Sequence, residues 1–185
     1  RFLKKFVYIL IRELWIIRRA SGLIALTEVE ANDFKKYSKW SNITIIPNGI
    51  DVENAVSTSF DQANLYHELG LMKNTPTILW MARIHRTKGF DVFVKALSYI
   101  DKPINILIAG PDEQNILSNF DLSDTRHNVI ILGTITGDKK LSILNLSDLY
   151  VLPSIAEGFS ISILEALASG TVPVISPDCN FPEIE

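Results

Sequence analysis

The chain has 185 residues, 47% of them hydrophobic and 21% charged, with a formal net charge of −3. That balance suits a packed globular body rather than a disordered one, and mild acidity without aromatic–basic interleaving gives no pull toward nucleic acid. A single cysteine, Cys179, excludes a disulfide framework within the chain, and with only His67, His85 and His127 beside it no zinc-ligand spacing exists.

The length suits one domain with part of a second. The chain opens on Arg1 and stops just after Pro182-Glu183-Ile184, so it reads as a fragment. No signal-peptide pattern is visible, and the apolar run from Phe6 to Ile11 is far short of the roughly 20 residues that a membrane span requires. The lone cysteine fits a reducing compartment, so a cytoplasmic location is expected.

Residues 1 to 20 read as a helix, apolar around much of its circumference and carrying Arg1, Lys4, Lys5, Arg12, Arg18 and Arg19 against the single acid Glu13. Two readings stand: a basic helix lying on the inner face of an anionic membrane, or a core helix separated from its neighbours. Leu23 to Leu26 is a short strand, Thr27 caps a helix from Glu28 to about Tyr37, and Ile43 to Ile46 is a second strand. Pro47-Asn48-Gly49 is expected to make a tight turn, since proline fixes φ while Asn and Gly tolerate positive φ. Residues 51 to 75 turn polar, with a weak helix from Asp61 to Leu69 stopped by Gly70, and read as a connector between two bodies.

From Thr77 the pattern becomes regular. Apolar strands at 77–82, 104–110, 128–133 and 149–152 alternate with helices at 90–100, from Pro111 through Phe120, and 138–146. A further unit follows: strand to Leu152, loop with Glu157 and Gly158, helix from Ser160 to Ser169, and strand from Val172. Strands apolar throughout and separated by helices predict an α/β fold, a Rossmann-like parallel sheet covered by helices on both faces. Ligands of such sheets sit beyond the carboxyl ends of the strands, where helix N-termini present free N–H groups.

Those strand ends carry the chemistry. The first loop supplies Arg83, His85, Arg86 and Lys88 within six positions, followed by Gly89. Facing the N-terminus of the helix after Gly158, with free N–H groups near Ser160 and Ile161, such a loop makes an anion site charged from two sides; alone, it is a solvated basic loop. Glu157 and Glu165 are eight residues apart. Over a helix that is roughly 12 Å, too far to share a proton or metal but suited to two ends of an elongated ligand. Glu165 sits among apolar residues and either faces solvent or accepts bonds from a bound group, because burying it unpaired is costly. Gly110 and Gly133 each allow close ligand approach or simply make a turn.

The runs ARIHRTKGFDVFVKAL, IAGPDE and NVIILGTI, and above all PSIAEGFSISILEALASGTVPVI followed by PEI, resemble glycosyltransferase family 4. These are the retaining, nucleotide-sugar-dependent group 1 glycosyltransferases of the GT-B fold. The resemblance extends from Leu23 to Ile184, with Glu157 and Glu165 as the E-x7-E pair and Arg83 to Gly89 as R-x4-K-G. IIPNGID resembles the segment joining the fold's two Rossmann-like domains. The resemblance thus implies that residues 1–48 end the acceptor-side domain and that 49–185 are a donor-binding domain truncated at its C-terminus. It further implies that Arg83 and Lys88 bind the donor diphosphate and stabilise the leaving group, and that Glu157 contacts the donor sugar. Glu165 would accept the ribose hydroxyls, and Gly158 and the backbone of Phe159, Ser160 and Ile161 would hold phosphate. Residues near Gly110 and around Thr134 and Ile135 would frame the base. The implied donor is a UDP-, GDP- or ADP-sugar and the implied acceptor a glycan or lipid-linked molecule, with no cofactor and no metal required, in keeping with the lack of Asp-x-Asp. Ala82 departs from the glycine many relatives have before the arginine. A non-catalytic nucleotide-sugar binding module and a GT-B nucleotide-sugar epimerase are the alternative functions.

Overall fold

The computed structural model describes Tyr8 and residues 12–37, 42–56, 62–122 and 126–181. Two compact units divide the chain: Arg1–Asn48 with Asn180–Glu185, and Gly49–Cys179.

The first unit holds helix α1 (Leu14–Arg19), strand β1 (Gly22–Ala25), helix α2 (Glu28–Tyr37) and strand β2 (Asn42–Ile45). The two strands pair in parallel across the α2 crossover. Helix α2 starts where it does because Thr27 Oγ1 accepts the Glu30 N–H at 3.1 Å, while the Glu30 carboxylate reaches back to the Leu26 N–H at 2.6 Å. Two otherwise orphaned donors are thereby satisfied. Helix α1 buries none of its residues: Trp15 and Ile16 are each 56% exposed, beside Arg18 and Arg19. Most of the helix expected before residue 12 lies outside the described residues. Pro47-Asn48-Gly49 corrects the sequence reading: residues 46–50 run without a turn, and neither Asn48 nor Gly49 has positive φ.

The second unit begins with two short helices, α3 (Val52–Val56) and α4 (Gln62–Glu68), the first of them unanticipated. Five parallel strands follow: β3 (Thr77–Met81), β4 (Asn105–Ala109), β5 (Asn128–Gly133), β6 (Leu149–Leu152) and β7 (Val172–Ile175). Helices α5 (Phe90–Leu97), α6 (Gly137–Leu146) and α7 (Ile161–Ala168) connect them. In the sheet the order is β5-β4-β3-β6-β7. The chain therefore builds outward from β3 to β5, then returns to lay β6 against the other side of β3. That reversal is a topological switch point, the place where an open parallel sheet leaves a crevice at its carboxyl edge.

Every residue of β3 and β4 is buried, as central strands covered on both faces must be. On one face Ile78, Trp80, Ile106 and Ile108 pack with Phe90, Phe93 and Leu97 of α5. Trp80 meets Phe90 edge-on at 4.9 Å between ring centroids, a favoured aromatic geometry. Leu79 and Leu107 point the other way by strand alternation and are fully buried, as are Ile143 and Leu144 of α6. The outer strands are less covered, leaving Ile131 of β5 and Val172 of β7 more than half exposed.

Two further expectations are corrected. The polar stretch 51–75 is not a free connector but belongs to the second unit. Buried Asn105 ties it down: its Oδ1 accepts from Met72 N–H at 2.8 Å, and its Nδ2 donates to the carbonyls of Met72 and Thr75 at 3.1 and 3.2 Å. The helix expected from Pro111 through Phe120 is reduced to one 3-10 turn, Leu117–Asn119. The Asp112 carboxylate takes the N–H groups of Ile116 and Leu117 at 2.7 and 2.9 Å, and Asn115 sits at φ 53°. Short polar side chains compete in this way with helical bonding.

Candidate functional site

The loop after β3 is shaped by its own chemistry. His85 Nδ1 accepts the Thr87 N–H and lies 2.8 Å from the Thr87 hydroxyl, which starts a 3-10 turn, Arg86–Lys88. Gly89 ends the turn at φ 70° and opens α5. No other residue fits there, because a Cβ on Gly89 would run into the Pro153 carbonyl. Gly110, at the end of β4, is equally constrained at φ 136°, with its missing Cβ directed at the Ala82 carbonyl. The two loops beyond β3 and β6 are bolted together: the Thr87 carbonyl accepts from the Ser154 hydroxyl at 2.7 Å and the Ile155 N–H at 2.9 Å.

That contact brings the basic loop against the first acid. Lys88 Nζ lies 2.6 Å from Glu157 Oε1, with the two side chains 21% and 9% exposed. The second acid is paired as well: Lys140 Nζ, from the first turn of α6, lies 2.6 Å from Glu165 Oε1 on α7. Only Glu165 is on the helix, so the E-x7-E spacing is not a helical one. Behind the acids runs a chain of hydroxyls. Tyr150 Oη donates to the Met81 carbonyl at 3.0 Å, and being then without a proton to give it accepts from Ser162 at 2.8 Å. Ser162 in turn stands 2.9 Å from Ser160 Oγ. Burial pushes the Tyr150 hydroxyl well above its ordinary range, so it stays a donor.

These elements enclose one cavity of about 430 Å³ at the carboxyl ends of β3, β4, β5 and β6. Arg83, Lys88, Gly110, Thr134, Ile135, Glu157, Ser160 and Glu165 all line it. Gly158, Phe159 and Ile161 do not. Gly158 is exposed with open space where a Cβ would stand, and Ile161 lines a neighbouring cavity of about 340 Å³. Of the four loop bases, His85 serves the turn and Arg86 lies outside; Arg83 and Lys88 remain. The wall also includes Pro111, Ser162 and Lys140, which sequence reasoning passed over, and Ala82, which it noted only as a departure from the family's glycine. Lys140 left a signal: a lysine in the first turn of a helix opposes the macrodipole and calls for an acid nearby.

With three cations (Arg83, Lys88, Lys140) against two carboxylates, the cavity carries one excess positive charge. Its size suits a small organic ligand, and its charge suits an anionic one. Among the described residues, no group of three or more His, Cys, Asp or Glu is placed to hold a metal ion, and no helix is long and apolar enough to cross a membrane.

The parallel sheet, with its crevice at the switch point, has the Rossmann-like architecture seen in GT-B glycosyltransferases. Residues 61–185 match the model of glycosyl transferases group 1, and the chain belongs to that family. It is 31% identical over 148 residues to an uncharacterised glycosyltransferase of Methanocaldococcus jannaschii, covering 77% of this chain and 38% of that one. It is 25% identical to the glycogen synthase of Clostridium botulinum (strain Alaska E43), covering 87% and 34%. The fold superposes on Anabaena HepE in complex with UDP-glucose with a TM-score of 0.78 at 21% identity, covering 92% and 49%. The chain thus spans between a third and two fifths of the length of the two curated relatives named here.

Proposed function

We propose that the chain is the donor-binding half of a retaining glycosyltransferase of family 4, which moves a sugar from a nucleoside diphosphate to a glycan or lipid-linked acceptor. The observation that carries this reading is the convergence of Arg83, Lys88, Glu157 and Glu165 on one cavity at the switch point. Arg83 is exposed with no hydrogen bond or ion pair to the described residues, and so is free to meet a diphosphate. Lys88, held by Glu157, supplies the second cation.

In the reaction the bond from the anomeric carbon to the diphosphate oxygen breaks, and a bond to the acceptor hydroxyl forms on the same face. The acceptor's proton leaves with the departing diphosphate. Charge accumulates on that diphosphate as the sugar acquires oxocarbenium character, so preorganised cations lower the barrier most. The N-terminus of α7, capped by no side chain, adds backbone N–H groups to the same pole. Glu165 receives the ribose hydroxyls, Glu157 stands toward the transferred sugar, and Gly110, Thr134 and Ile135 frame the base. The UDP-glucose in the Anabaena relative is a donor of this class.

Calorimetric titration with UDP, GDP and ADP tests the binding half of the proposal, and binding of none of them overturns it. Incubation of the full-length protein with a sugar nucleotide, with and without acceptor, tests the rest. Transfer only with acceptor supports a transferase, conversion of the donor alone marks an epimerase, and binding without turnover marks a binding module.

A further inference from the structure

Lys140 has no part in the roles given so far, yet it stands at the site. It comes from the first turn of α6, where its charge is unfavourable to the helix, and its Nζ meets Glu165 Oε1 at 2.6 Å with both side chains largely covered. Both residues also line the second cavity of about 340 Å³, behind the first. Glu165 is therefore a carboxylate in a wall between two spaces, with room on either side and apolar neighbours along its own helix. Among the described residues Lys140 is the sole side-chain hydrogen-bond partner of that carboxylate, through Oε1, and none of them donates to Oε2. One oxygen is tethered and the other is open to a ligand.

We infer that Lys140 is a positioning residue, which holds the Glu165 carboxylate oriented so that its second oxygen accepts the ribose hydroxyls of a nucleoside diphosphate. The assignment rests on the proposed donor-binding role of the cavity and adds to it a residue from a different helix. An accepting group held in one orientation before the ligand arrives loses less freedom on binding, which is where preorganisation gains affinity. Lys140 thereby couples α6 to the site, and its contribution is specific to the sugar hydroxyls rather than to phosphate.

The test compares Lys140→Met, Lys140→Arg, Glu165→Gln and the Lys140→Met/Glu165→Gln double variant. UDP, GDP and ADP are titrated calorimetrically, each beside its 2′,3′-dideoxy form. Lys140→Met is expected to weaken the preferred ribonucleotide by about tenfold and leave the dideoxy form unchanged; Lys140→Arg restores most of the loss; and the double variant is no weaker than Glu165→Gln alone. In the full-length enzyme, the donor KM should rise with kcat nearly constant. A melting temperature for Lys140→Met close to wild type shows that the fold is intact. Equal loss for ribo and dideoxy forms would mean a plain charge effect and overturns the assignment, as does wild-type affinity in Lys140→Met. A wild-type chain that binds no nucleoside diphosphate overturns the donor-site reading itself.

Discussion

At the scale of single residues, the site separates bases that look alike in the sequence. Arg83 and Arg86 are three positions apart, yet only Arg83 lines the cavity. Replacing Arg83 with alanine in the full-length enzyme is expected to cut turnover by two or more orders of magnitude, as loss of one preorganised cation at a developing charge does. Arg86→Ala should leave the rate near wild type, and a steady-state assay of both variants decides the point. Tyr150 carries a different expectation. Its hydroxyl is buried and titrates well above the unfolded value of 10.0. The folded state therefore holds its proton where the unfolded chain releases it, so the associated stability is intact below pH about 10 and declines as pH rises beyond it. Tyr150→Phe removes the bonds to Met81 and Ser162 at a cost of about 1–3 kcal/mol. Urea unfolding at pH 8 and pH 11 should show that loss, together with a shallower alkaline decline in the variant.

Among elements, the least regular stretch before the sheet is tied by several bonds to one side chain on a central strand. Asn105 is fully buried in β4 and binds both the N–H and the carbonyl of Met72, besides the Thr75 carbonyl and the Asn128 amide. Asn105→Ala strands several buried polar groups at once, for an expected loss of about 2–4 kcal/mol in unfolding free energy. Denaturant melts monitored by tryptophan fluorescence measure it, and a loss below about 0.5 kcal/mol would show that the loop's other anchors, Asn128 on the Gly70 carbonyl and Tyr66 on the Met72 carbonyl, suffice. The same strand teaches a limit of pattern reading: INILIAG reads as an apolar strand, and Asn105 inside it gives no hint of partners some thirty residues upstream. Asp112 teaches another, since Pro-Asp-Glu opens many helices, and only the closure of the loop onto its carboxylate stops this one.

On the scale of the whole molecule, the fold gathers cationic groups from two loops at one place, which suits the diphosphate proposed to bind there. Arg83 and Lys88 come from the loop after β3, and the N-terminus of α7 follows the loop after β6, the two loops tied through the Thr87 carbonyl. If these groups carry the leaving-group charge, transfer by the full-length enzyme should persist in excess EDTA at more than half its untreated rate. Loss of activity restored by added Mg²⁺ or Mn²⁺ would show that protein cations do not suffice. Sugar-nucleotide consumption with and without chelator is the measurement.

The order of strands from Thr77 onward, the helices that follow β3, β5 and β6, the βαβ unit around Glu157 and Glu165, and the basic run after β3 all follow from the sequence alone. They rest on local periodicity and on turn residues that act within a few positions. Which cations face the cavity, and that each acid there is held by a lysine, was decided only in three dimensions. Lys88 and Glu157 are 69 positions apart and Lys140 and Glu165 are 25 apart, and only the sheet's reversal at β3 and β6 brings those ends to one place.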